Sequence, residues 1–327
     1  MSMRTLVMGG NRYIGLSLVR ELAERGHRVT VANSHEVELP SGVTRIHVDR
    51  RIPGELHRAL AGHADQFDAV FDNTAYDKTD VEPMVDMFAG RVAHYVFTSS
   101  VAVYRRSFVQ PVREDFRTHE VVADQPLRAY AVGKVCCERY LAECFEENRF
   151  PYTSVRVTHT VGPRSPLASR DPAFFVRLEQ GRPILIPGEG FPFVHLIHID
   201  DAARLLASIP DNDRVVGQTY NAAGAEYASI LGTVHQMARA VGVEPNVVHV
   251  PLDYLRDHAR SVVHWNEGVA GGTIFSIEKT LSEVDWSPRF GLQEAFADSY
   301  AWFAQGGRDA YVFDFSGDDQ VLADLGV

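Results

Sequence analysis

Residues 8–15 read MGGNRYIG, and the residues on either side of them decide the fold. Before them, RTLVMGG (4–10) is a short apolar run that stops at two glycines; after them, Ile14, Leu18 and Leu22 recur every four residues. That is the pattern of a buried strand running into an amphipathic helix. A glycine-rich turn at such a junction lets backbone N–H groups approach a phosphate, and the helix N-terminus adds partial positive charge. Gly9, Gly10 and Gly15 stand where that geometry needs them, but the order is not a strict G-x-G-x-x-G, and Arg12 occupies a place where a small residue is expected. Taken alone, the stretch also reads as a strand-to-helix turn with no ligand.

Outward from this turn, strand and helix patterns alternate. HRVTVAN (27–33), VTRIHVD (43–49), FDAVFDN (67–73), HYVFTSS (94–100) and YTSVRV (152–157) are Val-rich strand candidates, separated by helical stretches over 16–25, 53–62, 79–90 and 126–147. Such alternation predicts an α/β fold with a doubly wound parallel sheet, covered on both faces. After Thr160 the rhythm loosens into Gly- and Pro-rich segments, with helices expected near 200–208 and 226–241 bracketing a strand at QTYNAAG (218–224). The expected organisation is a dinucleotide-binding domain over 1–160 with 196–224, and a smaller interleaved substrate domain over 161–195 and 225–327.

Composition narrows the function classes. The 327 residues are 45% hydrophobic and 23% charged, the mix of an ordinary globular chain. A net charge of −11 argues against a broad nucleic-acid surface, which needs clustered Lys and Arg. Cys136, Cys137 and Cys144 fall within one helical pattern, so they make no disulfide framework and point to a reducing, cytoplasmic setting. No stretch has membrane-spanning length. His195 and His198 lie three apart in an expected strand and face opposite sides, so no metal is expected. Trp265, Trp286 and Trp302 read as packing residues.

A second constellation carries chemistry. YAVGK (130–134) places Tyr130 and Lys134 four apart on one helix face. A phenol is a poor base until a neighbouring ammonium favours its phenolate, and Lys134 supplies that charge. TSSVAVY (98–104) ends the preceding strand at its carboxyl edge, where open α/β sheets bind ligands, and offers Ser100 as a hydroxyl for the reacting oxygen. A Tyr–Lys pair at this spacing is common by chance on helix surfaces. Its place one helix after a Ser-tipped strand and a glycine turn is what gives it meaning.

With these residues in hand the chain resembles the NAD-dependent epimerase/dehydratase family of extended short-chain dehydrogenases along nearly its whole length. The resemblance rests on GGNRYIG (9–15), VDRR (48–51), DNTAY (72–76), SSVAVY (99–104), YAVGK with Glu138 following, RVTHTVGP (156–163), IHIDDAA (197–203), YNAAG (220–224) and VDWSPRFGLQEA (284–295). It implies a Rossmann-like sheet, NAD or NADP as cofactor, and Ser100, Tyr130 and Lys134 as the catalytic triad. It also implies cofactor contacts from Gly9, Asn11, Arg12, Tyr13, Ile14 and Gly15 in the turn, from Asn33 and Ser34 after the second strand, from Asp49 near the adenine, and from Asn73 and Ala75 along the groove. Tyr76, Ser100, His159 and Arg164 are expected on the substrate side, and a homodimer through the helices near 79–90 and 126–147. The implied activity is hydride transfer on a sugar or nucleotide-sugar-like secondary alcohol through a transient ketone, as an epimerase, with an NADPH-dependent reductase of a small carbonyl compound as the alternative.

Departures from the family pattern sharpen this. The Asp-Glu pair that follows the catalytic hydroxyl in dehydratases is Val101 and Ala102 here, which argues against dehydration. The arginine that grips a nucleotide-sugar pyrophosphate aligns with Val194, and the usual asparagine with His159, which reads either as a packed residue or as a substrate ligand. Arg164, Arg170 or Arg177 is expected to replace the missing charge. Arginine at position 12 recurs in a subgroup of the family that includes stem-loop RNA-binding members, so a non-catalytic RNA-binding role stands as a third expectation. VANSH (31–35) carries no carboxylate after the second strand to repel a 2′-phosphate, so Arg12, Ser34, His35 and Arg50 are expected to favour NADP.

Overall fold

The computed structural model describes residues 2–121, 129–258 and 272–327, and the chain divides into two compact units. The first comprises Met1–Thr158, Ile199–Ala223 and Ser276–Ser287. Its strands, numbered along the chain, are β1 (Arg4–Met8), β2 (Arg28–Asn33), β3 (Thr44–His47), β4 (Ala69–Asp72), β5 (His94–Ser100), β6 (Tyr152–Val157) and β10 (Gln218–Ala222). They form one sheet in the order β10-β6-β5-β4-β1-β2-β3, every pair parallel. Its helices are α1 (Tyr13–Glu24), α2 (Glu55–Leu60), α3 (Lys78–Phe88), α4 (Ala129–Asn148), α6 (Ile199–Ser208) and α9 (Glu278–Glu283).

Leu6, Val7, Val70, Phe71, Val96 and Phe97 have no solvent exposure. Strands covered by helices on both faces read as continuous apolar runs, and β1, β4 and β5 do so. The order runs outward from β1 through β2 and β3 on one side and through β4 and β5 on the other. The crevice at the carboxyl ends of β1 and β4 is therefore the topological switch point, where such sheets bind ligands.

The segment Ser276–Ser287 departs from the expected division. It was expected with the substrate domain and instead packs on the first unit. Thr280 Oγ1 donates to the Asn221 carbonyl at 2.7 Å, Asn221 Nδ2 donates to the Ser276 carbonyl at 3.0 Å, and Trp286 Nε1 donates to the Asp201 carbonyl at 2.9 Å. These bonds join segments 55 to 85 residues apart, so no local pattern announces them.

The second unit comprises His159–His198, Gly224–Phe275 and Pro288–Val327. It holds β7 (His159–Val161), α5 (Asp171–Glu179), β8 (Ile184–Pro187), β9 (Phe193–His198), β11 (Tyr227–Ser229), α7 (Ile230–Val241), β12 (Val247–Val250), α8 (Leu252–Asp257), α10 (Leu292–Ala304) and α11 (Ser316–Leu325). β9 lies between β11 and β7, and β8 pairs with β12. Phe175, Ile186, Ile230, Val234, Phe296 and Phe303 form its core. Trp302 meets Tyr311 edge-on, whereas Trp265 lies outside the described residues. Cys137 and Cys144 are buried free thiols and Cys136 is half-buried. Among the described residues no helix is long and apolar enough to cross a membrane.

Candidate active site

The turn between β1 and α1 explains both its glycines and its arginine. A Cβ on Gly15 would lie 2.1 Å from the Gly9 carbonyl oxygen, and one on Gly9, whose φ is +77°, would lie 2.2 Å from Thr74 Cγ2. Close approach at 9 and 15 is what the fold demands; position 12 carries no such demand. Arg12 is the N-cap of α1 in extended conformation, its side chain exposed and, among the described residues, without a hydrogen bond or ion pair. The first turn of α1 has no side-chain cap and no acidic residue. Its N–H groups and positive dipole end are left for an anion. Asn11 and Ile14 are half-buried in the same turn, and Tyr13 is buried with a positive φ of 47°.

At the end of β2, Asn33 accepts a hydrogen bond from Arg45 Nε at 3.0 Å, while its Nδ2 is buried with no partner in the chain. Asn73, at the end of β4, accepts from Thr98 Oγ1 at 2.6 Å, and its Nδ2 is likewise orphaned. Two donors stranded along one sheet edge suit a polar ligand there. Ser34 Oγ lies 2.9 Å from His35 Nδ1, and both residues reach solvent. Asp49 is gripped by Arg51, which holds its carboxyl down at about 2.

Arg50 requires a correction. Expected to reach a 2′-phosphate, it is buried and donates to both carboxylate oxygens of Asp72 at 2.7 and 3.0 Å, to Thr74 Oγ1 at 2.8 Å and to the Asp80 carbonyl at 2.6 Å. Burial works to raise the fully buried Asp72 carboxyl, but the guanidinium and the Tyr95 hydroxyl hold it below its ordinary value. Asp72 in turn accepts from the N–H groups of Thr74 and Ala75, so the pair shapes the loop that carries Asn73, Ala75 and Tyr76. A charge pair of this kind fixes geometry and leaves no free donor fork for a phosphate.

The Tyr–Lys constellation is assembled around α4. Lys134 is buried, and its Nζ donates at 2.7 Å to two carbonyls, Ala75 after β4 and Thr98 within β5. Burial pushes its ammonium down to about 8. The same Nζ stands 5.0 Å from the ring centre of Tyr76 and 6.0 Å from that of Tyr130. The two rings lie 6.1 Å apart, each about half exposed. Ser100 ends β5, and its Oγ accepts from the Ala102 N–H at 3.2 Å. Beneath it, Ser99 Oγ donates to Glu138, which is held bidentately by Arg156 at 2.7 and 2.9 Å. This buried pair ties α4 to β5 and β6.

Gly133 is the residue that sequence reasoning passed over. A Cβ there would lie 2.1 Å from the Tyr76 carbonyl oxygen, so glycine lets α4 sit against the β4 loop and brings Lys134 within reach of Ala75. A lone glycine inside a helical pattern was the available signal.

The second unit holds the remaining candidates. His159 is exposed and Arg164, with φ at +64°, sits 5.9 Å from the Trp302 ring. Arg177 does not supply the missing charge: it is buried, and its guanidinium binds Asp318 at 2.5 to 2.7 Å and lies over Phe315. Arg170 is half-buried at the start of α5. His195 Nε2 faces the Gly224 carbonyl at 2.8 Å while its Nδ1 accepts from the Phe275 N–H, and His198 Nε2 faces Asp298 at 3.1 Å.

Comparison with known proteins gives the family and the fold. The model of the NAD dependent epimerase/dehydratase family matches residues 5–223. The chain is 27% identical over 337 residues to the chloroplast stem-loop binding protein of 41 kDa b of Arabidopsis thaliana, covering 98% of this chain and 84% of that protein. It is 27% identical over 258 residues to 2′-dehydrokanamycin reductase of Streptomyces kanamyceticus, covering 77% and 71%. UDP-glucuronic acid 4-epimerase from Bacillus cereus, solved with NAD, shares the fold at a TM-score of 0.73 and 19% identity, over 93% of this chain and 97% of that one. The chain belongs to the NAD dependent epimerase/dehydratase family and is an NAD(P)-dependent enzyme of the extended short-chain dehydrogenase type.

Proposed function

We propose that the protein is an NADP(H)-dependent oxidoreductase that interconverts a small, sugar-like secondary alcohol and its ketone, working in the reducing direction. The observation that carries this reading is Arg12: an exposed guanidinium with no partner among the described residues, at the uncapped start of α1. Ser34 and His35 stand after β2 in place of a carboxylate. A ribose 2′-phosphate would find a charged donor and no repulsion there. Gly9, Asn11, Tyr13, Ile14 and Gly15 would hold the pyrophosphate, with Asp49, Asn33, Asn73 and Ala75 along the groove.

A nicotinamide cofactor held by these residues would supply the hydride. Tyr130 gives its hydroxyl proton to the carbonyl oxygen, and Ser100 donates a hydrogen bond to that same oxygen. Lys134 offsets the phenolate that remains, until solvent returns a proton to it. Tyr76 beside Tyr130 and the exposed His159 and Arg164 are the proposed substrate contacts. The relative 2′-dehydrokanamycin reductase supports reduction, and Val194 in place of an arginine on β9 weighs against a nucleotide-sugar substrate. A homodimer through α3 and α4 in a reducing cytoplasm belongs to the same reading, and sedimentation of the full chain tests the dimer.

The deciding experiment is mass spectrometry of small molecules released on denaturation, followed by titration with NADPH and NADH and a screen of ketones. An empty chain that prefers NADPH and reduces a ketone, with Tyr130→Phe inactive but binding cofactor normally, is the expected result. Retained, near-stoichiometric NAD would replace this reading by an epimerase that reuses one cofactor. A chain that binds neither cofactor but shifts a stem-loop RNA in a strongly salt-dependent way would replace it by an RNA-binding role.

A further inference from the structure

Arg50 and Asp72 are a buried ion pair, an arrangement that well-packed apolar residues of the same size commonly match in stability. What such a pair can supply is fixed geometry, and here the geometry leads to Lys134. Asp72, the last residue of β4, accepts at Oδ1 from Arg50 at 2.7 Å and from the N–H groups of Thr74 and Ala75, each at 3.0 Å. Its Oδ2 accepts from Arg50 at 3.0 Å and from the Tyr95 hydroxyl at 2.8 Å. Arg50 also donates to the Asp80 carbonyl at 2.6 Å, and the Asp80 carboxylate accepts from the N–H groups of Tyr76 at 2.7 Å and Asp77 at 3.1 Å. The loop is thus clamped on both sides of the Ala75 carbonyl.

That carbonyl is one of the two that Lys134 Nζ reaches at 2.7 Å. The other, Thr98, is held within the β5–β6 ladder, whereas Ala75 lies beyond the end of β4 and has Asp72 to hold it. We propose that Asp72, oriented by Arg50, is a positioning residue for the reaction: it fixes the Ala75 carbonyl on which Lys134 is seated, and so keeps Nζ in place beside the Tyr76 and Tyr130 rings. That Lys134 serves a reaction rests on the oxidoreductase reading above; that Asp72 governs its seat does not.

The consequence is a change in how Lys134 holds its proton. Burial pushes the ammonium down to about 8. A loop shift of about 1 Å breaks the bond to Ala75 without opening room for a water to replace it. The charged form then loses more than the neutral one, and the proton leaves about one pH unit lower. Cys137 and Glu138 on α4 and the Tyr76 and Tyr130 phenols, which also face the ammonium, are left as they are.

The chain has three lysines, Lys78, Lys134 and Lys279, so isotope-labelled lysine in the full chain can be followed by NMR through a pH titration, with Lys134→Arg identifying the signal. Asp72→Asn breaks the pair. Arg50→Met with Asp72→Leu strands neither charge, which favours folding if Asp72→Asn does not fold, and it frees the Thr74 and Ala75 N–H groups. Because Asp72 raises the ammonium through space and Arg50 lowers it, the double variant reads mainly the loss of the seat. Lys134 is expected to titrate about one unit lower in both variants. Asp318→Asn, which breaks a buried pair of the same kind in the second unit, should leave it unmoved. With a ketone substrate the alkaline limb of kcat, where the ammonium loses its proton, should move down with the midpoint while KM changes less. An equal shift in Asp318→Asn, or an alkaline limb that stays put while the midpoint moves, would overturn the assignment. A moved midpoint in a chain that reduces no ketone overturns only the oxidoreductase reading; ketone reduction with an unmoved midpoint in a folded variant overturns only the role of Asp72.

Discussion

Replacing Gly133 by alanine adds one methyl group where the structure has no room for it. The new Cβ would start 2.1 Å from the Tyr76 carbonyl oxygen, so α4 and the β4 loop must separate by about 1 Å before the contact becomes tolerable. Neither side yields easily, because the loop is pinned by Asp72 to the N–H groups of Thr74 and Ala75, and α3 beyond it begins in the Asp77–Asp80 capping box. The separation falls on Lys134, whose Nζ reaches the Ala75 carbonyl at 2.7 Å. A displacement of about 1 Å takes that bond beyond hydrogen-bonding distance and leaves a buried ammonium with one partner lost. Overpacking costs about 1–3 kcal/mol and the lost charge-assisted bond about as much again. We expect Gly133→Ala to lower stability by about 2–6 kcal/mol and to cut kcat about a hundredfold, because misplacing a catalytic group by about 1 Å costs that order of rate. NADPH affinity should fall less than turnover does, since the glycine turn and Arg12 are untouched and only the Asn73–Ala75 side of the groove shifts. Thermal unfolding reads the first effect without a substrate, and NADPH consumption with the ketone found by screening reads the second. Gly62→Ala is the control, at a glycine with a φ any residue tolerates and nothing within 4 Å. Wild-type melting and turnover in Gly133→Ala, or equal losses in Gly62→Ala, would refute the reasoning.

Three further outcomes follow from named contacts. Arg12→Ala should weaken NADPH binding by about tenfold to a hundredfold, the worth of a charge-assisted bond, and leave NADH binding unchanged; calorimetry with both cofactors decides. Asp72→Asn removes one partner of a buried pair and strands the Arg50 guanidinium, so urea unfolding should show a loss of about 3–5 kcal/mol. His94 is held down at about 4 by burial, and its Nε2 meets Thr153 Oγ1 at 2.7 Å. Because its folded pKa lies below its unfolded value, the unfolded state binds more protons between those values. Stability is therefore full above about 6.5 and falls by up to about 3 kcal/mol as pH drops toward 4. His94→Gln should flatten that acid limb, and an unchanged slope in the variant would place the titration elsewhere.

Much of the candidate site was legible because its signals are local. The run RTLVMGG followed by Ile14, Leu18 and Leu22 marks β1 and α1, and the four-residue spacing of Tyr130 and Lys134 puts both on one helix face. Arg50 and Arg177 were misread because nothing near them in the chain marks their partners. Asp72 lies 22 residues from Arg50, and Asp318 lies 141 from Arg177. An arginine with a buried carboxylate opposite it and one facing solvent look the same in sequence.

The amino-acid order by itself determined the succession of strands and helices, the glycine turn and the spacing of the Tyr–Lys pair, because periodicity and close approach within a turn are properties of neighbouring residues. Only the tertiary structure decided which charges remain available to a ligand. It buried Arg50 against Asp72 and left Arg12 bare. It seated Lys134 on carbonyls 36 and 59 residues away, and it buried Asp171 against the Ser299 hydroxyl, 128 residues on. The physical reason is that the standing of a charge depends on burial and on the groups packed around it, and both arise only when distant segments meet.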